Sequence, residues 1–137
     1  MIARLIISAW IALLPAAALG QATPAKPNMV TTTSATPNDR ARQWLTLVDD
    51  GNYAQSWKDA GSVFRKRAAD AWAKSALAMR DPLGAVANRS LKSIDVSKPQ
   101  VAVVSYDTAF ARRTGAVETV TLVLENGGWA VTDYVIK

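Results

Sequence analysis

The hydrophobic repeat of this chain changes period once, and that change limits the folds open to it. As far as Met79, apolar residues recur at helical spacing. Ala41, Trp44, Leu45 and Val48 fall at i, i+3, i+4 and i+7, one face of a helix. Asn38 or Asp39 can cap that helix, and Gly51 follows as its stop. Tyr53, Ala54 and Trp57 predict a second short helix, with Asn52 as cap and Gly61 as stop. A third, longer helix is predicted from Ser62, with Phe64, Ala68, Trp72, Ala76 and Met79 along one stripe. It ends before Pro82, because proline disfavours helical backbone at Asp81. Beyond Asn88 the residues become β-formers, and strands are predicted over 89–96, 100–111, 117–125 and 129–136. Asn126-Gly127 is the strongest hairpin signal, since both residues tolerate positive φ; Thr114-Gly115 is a weaker one. Helices followed by a meander of antiparallel strands make an α+β domain: N-terminal helices packed on a sheet of about four strands.

The last hairpin predicts which side chains meet the helices. A two-residue loop at Asn126-Gly127 sets Leu124 opposite Trp129, Leu122 opposite Val131, Val120 opposite Asp133 and Glu118 opposite Val135. Side chains alternate along a strand, so these share the inner face. Tyr134 and Ile136 then fall on the half-solvated outer face, and a one-residue bulge would exchange the two sets. An acid facing a core is costly unless paired, so Glu118 and Asp133 call for partners. Arg80 and Arg89 flank the Pro82-Leu83-Gly84 turn and could clamp a carboxylate bidentately. The expected recipient is Asp107, Glu118 or Asp133.

Composition removes whole classes of chemistry. The 137 residues contain no cysteine and no histidine. Disulfides, thiol nucleophiles and Ser-His-Asp triads are excluded, and the commonest metal ligand is missing. There is no Ser-x-x-Lys, Walker-type or GxGxxG motif. No metal and no cofactor is expected. Net charge is +5, from 16 Lys and Arg against 11 Asp and Glu. Arg65-Lys66-Arg67 and Arg112-Arg113 are read as solvated charge, since a nucleic-acid surface would need interleaved aromatics. Trp44, Trp57, Trp72 and Trp129 at helical and strand spacing read as core rather than as a ligand-stacking box.

The N-terminus sets the compartment. Arg4, the apolar run Leu5 to Leu14, Pro15 and the small residues up to Ala22 read as a cleavable export signal over 1–22. The apolar run is short for a membrane span, and no lipobox cysteine is present. An exported protein, periplasmic or secreted, with no stable membrane anchor after cleavage is expected. Residues 23–37, rich in Thr, Pro and Ala, read as a flexible tether, and 38–137 as one domain.

Several scattered residues resemble a known family. Trp44-Leu45, Val48-Asp49, Gly51, Tyr53, Ser56-Trp57, Phe64, Trp72, Arg80, Pro82-Leu83-Gly84 and Arg89 are similar to the bacterial domain of unknown function 4019. So are Tyr106-Asp107-Thr108, Phe110, Glu118 to Leu122, Gly128-Trp129 and Tyr134 to Lys137. The resemblance covers roughly Asp39 to Lys137. It implies a small exported bacterial protein with a cystatin-like, nuclear-transport-factor-2-like cone, in which a curved sheet wraps on helices. It implies no activity and no catalytic residue. Asp133 departs from the glycine that the pattern has before Tyr134, and Lys98-Pro99-Gln100 replaces a longer turn.

Three functions fit these residues. The first is a non-enzymatic envelope module that binds a small molecule or a protein partner through Arg80, Arg89, Tyr106, Asp133 and Glu118. The second is an isomerase- or hydrolase-like enzyme with Asp133 or Glu118 as base and Tyr106 or Arg89 stabilising negative charge. The third is a structural domain that forms a homodimer through the outer sheet face.

Overall fold

In the computed structural model, which describes Gly20 and residues 34–137, the first helix starts where proline permits it. Helix α1 (Pro37–Asp49) is closed by a capping box. Thr36 Oγ1 accepts from the Asp39 amide at 3.1 Å, and the Asp39 carboxylate accepts from the Thr36 amide at 3.1 Å. The cap is thus Thr36, not Asn38 or Asp39, and Pro37 belongs to the helix rather than to a tether. The expected export signal and the tether up to residue 33 lie, apart from Gly20, outside the described residues.

Helix α2 (Tyr53–Asp59) follows Gly51, whose φ of 72° reverses the chain. Asn52 caps it through the Gln55 amide, as its side chain suggests. The single long helix expected from Ser62 is instead two pieces. A 3-10 turn spans Phe64–Lys66, Arg67 and Ala68 are extended, and α3 covers Ala69–Arg80. The interruption has a local cause. Trp57 Nε1 donates to the Arg67 carbonyl at 2.9 Å, taking the acceptor that a continuous helix would use. Ala68, counted on the apolar stripe, is exposed in consequence.

Four strands follow: β1 (Val86–Asp95), β2 (Val101–Phe110), β3 (Arg113–Glu125) and β4 (Gly128–Ile136). They form one antiparallel sheet in sequence order. The β3–β4 turn is Asn126-Gly127, with φ of 52° and 80°. The β2–β3 turn is Ala111-Arg112, not Thr114-Gly115; Phe110 pairs with Arg113, and Gly115 takes its positive φ within β3. Irregularities of register in each strand pair bend the ladders.

One of these irregularities corrects the expected faces. Leu122 pairs with Val131, but Thr121 pairs with Asp133 and Val120 with Tyr134. The extra residue in β4 reverses every side chain after it. Tyr134 is therefore buried against the helices, while Asp133 and Val135 are exposed. Leu124, expected inside, is 43% exposed.

Helix α1 lies against β2, β3 and β4. Its Ala41, Trp44, Leu45 and Val48 are buried, joined by Phe64, Trp72, Val104, Val120, Leu122, Val131 and Tyr134. Trp44 contacts the rings of Phe64, Trp72 and Tyr134 at centroid separations of 5.6, 5.7 and 5.4 Å. Both buried indoles end on one residue. Trp44 Nε1 donates to the Ser56 carbonyl at 2.8 Å and Trp72 Nε1 to Ser56 Oγ at 2.9 Å. Ser56 is itself fully buried, so an α2 serine solves the polar problem that two core tryptophans create. Trp57 and Trp129 pack on the margin of the same core.

Candidate functional site

Where the C-terminal end of α1, the C-terminal end of α3 and the inner face of the sheet converge, four charged side chains close a ring. Glu118 on β3 has no exposed surface. Arg89 on β1 grips it bidentately, Nε to Oε2 at 2.6 Å and Nη2 to Oε1 at 3.1 Å. The same guanidinium grips Asp49, the last residue of α1, Nη1 to Oδ2 at 2.7 Å and Nη2 to Oδ1 at 2.9 Å. Arg80, the last residue of α3, donates to Asp49 Oδ1 at 2.6 Å and to Glu118 Oε1 at 3.4 Å. Its guanidinium lies 5.0 Å from the Phe110 ring centroid. Two further donors reach Glu118: Tyr134 OH at 2.5 Å and Thr108 Oγ1 at 2.7 Å.

The set is neutral, two guanidiniums with two carboxylates, which is why it tolerates burial. Burial raises the Asp49 carboxyl, but hydrogen bonds from Arg89 and Arg80 outweigh it and hold it below the ordinary carboxylate range. Burial also lowers the tendency of Arg89 to carry charge, and hydrogen bonds to Asp49 and Glu118 more than reverse that. The Tyr134 phenol is pushed well up, first by burial and then by the charge of Glu118. It stays a neutral donor.

The expectation that Arg80 and Arg89 clamp an internal carboxylate is met at Glu118. Asp107 and Asp133 go elsewhere. Asp107 pairs with Lys92 at 3.0 Å, and Asp133 approaches Arg67 at 3.5 Å. The bulge in β4 is what removes Asp133 from the inner face. Asp49 is the member that sequence reasoning missed. It reads as an ordinary acid at a helix end, and only its meeting with Arg80 and Arg89 in the fold makes it one of the four members of the ring.

Two clefts flank the ring. One, of about 160 Å³, lies between α1 and β1 and is lined by Asn38, Arg42, Thr46, Arg89, Leu91 and Tyr106. Tyr106 OH donates to Asn38 Oδ1 at 2.7 Å. Burial pushes the Tyr106 phenol up to about 12, against the pull of Arg42 and Arg89. The second cleft, of about 290 Å³, includes Asp49, Tyr53, Leu77, Arg80 and Arg112. Arg112 donates to the Asp81 carbonyl at 2.7 Å, and Arg67 lies over the Phe64 ring at 4.1 Å. Arg65, Lys66 and Arg113 are exposed.

Glu118 already accepts from five donors, more than the four lone-pair positions of a carboxylate, and a base must reach its substrate. Among the described residues no three carboxylates gather in a way that could hold a metal ion.

Comparison with known proteins agrees in part with the sequence reading. A family model described as "Protein of unknown function (DUF4019)" matches residues 40–134. No curated protein matches the chain. Among solved structures, the chain is similar to an NTF-2 like protein of unknown function from Silicibacter pomeroyi DSS-3. The two share 12% identity and a TM-score of 0.41, over 74% of this chain and 98% of that one.

Proposed function

Given that the chain belongs to the DUF4019 family, whose description assigns no activity, we propose from its own geometry a non-enzymatic, exported module that binds a small ligand or a protein partner in the cell envelope. One observation carries the reading. The only inward-facing acid of the two suspected bases, Glu118, is saturated and sealed, while donors beside it remain open to a ligand at the α1–β1 cleft. The space between helices and sheet, where a substrate of such a fold would sit, is occupied by Trp44, Phe64, Trp72 and Tyr134. The signal-like N-terminus supports export, and the absence of histidine and cysteine argues against most catalytic devices.

A thermal-shift screen of the purified protein against acidic, neutral and basic envelope metabolites, with crosslinking in cells, tests this. A saturable rise in Tm with at least one class, or one specific crosslinked partner, is the expected result. Silence in both, or a turnover that E118Q abolishes while the fold stays intact, would overturn it.

A further inference from the structure

Arg89 is committed to Asp49 and Glu118; its neighbour Arg42 is not. Among the described residues Arg42 meets no carboxylate within 4.0 Å. It lies on α1 between Asn38 and Thr46, at spacings of four residues, so the three side chains share one flank of the helix. That flank faces β1 across the cleft of about 160 Å³. Leu91 on β1 pairs across the sheet with Tyr106, so both point to the helix side. Helix α1 covers Tyr106 but leaves Leu91 48% exposed. The Asn38 side chain is oriented by Tyr106, which takes its oxygen and leaves its NH₂ as a donor. No carboxylate lines the cleft.

A lone guanidinium fork, an oriented amide and an apolar wall describe a ligand with two ends. We propose that the α1–β1 cleft binds a monocarboxylate with a ring-sized apolar body. The carboxylate lies in the fork of Arg42 beside the Asn38 amide, and the body lies on the exposed side chain of Leu91. Arginine suits this because its planar fork matches both carboxylate oxygens. The size fits too: a cavity of about 150 Å³ accommodates benzene. The ligand is either a free organic acid or the C-terminal residue of a peptide with an apolar side chain, since both offer the same chemistry. The assignment rests on the binding-module reading and deepens it.

NMR titration of the ¹⁵N-labelled protein tests it. The probes are benzoate, benzamide as its uncharged isostere, and a short peptide ending in phenylalanine, as free acid and as amide. Benzoate should shift the amides of Asn38, Arg42, Thr46 and Leu91 saturably, and benzamide should not. R42Q should weaken benzoate about tenfold or more while leaving Tm nearly unchanged, since Arg42 is exposed and forms no ion pair among the described residues. R42K should fall between. Preference for benzoate over the free-acid peptide assigns free acids; the reverse assigns chain ends. No shifts at the cleft, equal binding of benzamide, or wild-type affinity in R42Q overturns the assignment. If the thermal-shift screen has meanwhile found a ligand elsewhere, or crosslinking a partner, the wider reading survives; if both are silent, both fall.

Discussion

Glu118 shows how a single acid can be held in an interior. Water is replaced by five donors from four residues, and three of those bonds come from guanidiniums that Asp49 neutralises in turn. Removing its charge leaves Arg80 and Arg89 sharing one carboxylate. E118Q should therefore cost about 3–5 kcal/mol, as breaking a buried ion pair does. Urea denaturation reads this, and a loss below about 1 kcal/mol would show the ring to be dispensable. The same residues set the pH limits. Asp49 titrates below its unfolded value, so its contribution is whole above about pH 4 and is lost as pH falls through the lower folded value. Tyr106 titrates above its unfolded value, so its contribution is whole below about pH 10 and is lost as pH rises through about 12. The chain has no histidine, the side chain that ordinarily titrates near neutrality. Tm measured against pH should be a plateau with two falling limbs. D49N should make the acid limb shallower, with Asp39 and Asp95 still contributing, and Y106F the alkaline one, with Tyr134 still contributing. A step near pH 6.5 would contradict this account.

Elements were legible to the extent that they are local. The apolar period of α1 and the Asn126-Gly127 turn are written in neighbouring residues, and both appear in the structure as read. That Arg80 and Arg89 would meet an internal acid was legible too, because an inward acid demands a partner, but which of Asp107, Glu118 and Asp133 it would be was not. What escaped depends on remote contacts. The break at Arg67 is made by an indole ten residues earlier. The extra residue in β4 leaves no mark in composition, yet it decides that Tyr134 rather than Asp133 faces inward and reaches Glu118. Asp49 needed the packing of α1 before it meant anything. The junction after α2 offers a test at this scale. The Gly61 amide donates to the Val131 carbonyl at 2.8 Å, and a Cβ there would stand 3.0 Å from Ala130 Cβ and 3.1 Å from the Val131 carbonyl oxygen. That backbone contact leaves little room to yield. G61A should destabilise by about 1–3 kcal/mol, the usual cost of overpacking. Unchanged stability would mean that α2 can slide along β4.

For the whole molecule, the prediction concerns its mature form. If residues 1–22 are an export signal, cleavage after Gly20 or Ala22 leaves a chain beginning at Gln21 or Thr23. Mass spectrometry of protein recovered from a periplasmic extract should find one of these termini. Recovery only of the chain starting at Met1 in the cytoplasm would remove the export reading and the envelope setting with it. A cysteine-free domain in that setting holds together by non-covalent contacts alone, and the two indoles bound to the α2 serine make its packing observable. Two indoles fixed 5.7 Å apart and tilted by 34° sit in an asymmetric, rigid surrounding. Such a pair gives near-ultraviolet circular dichroism, which vanishes when tertiary order is lost even while helices and strands persist. The protein thus carries a label-free optical gauge: a loosened state would go dark near 290 nm, roughly where indoles absorb, while its far-ultraviolet spectrum stayed almost unaltered.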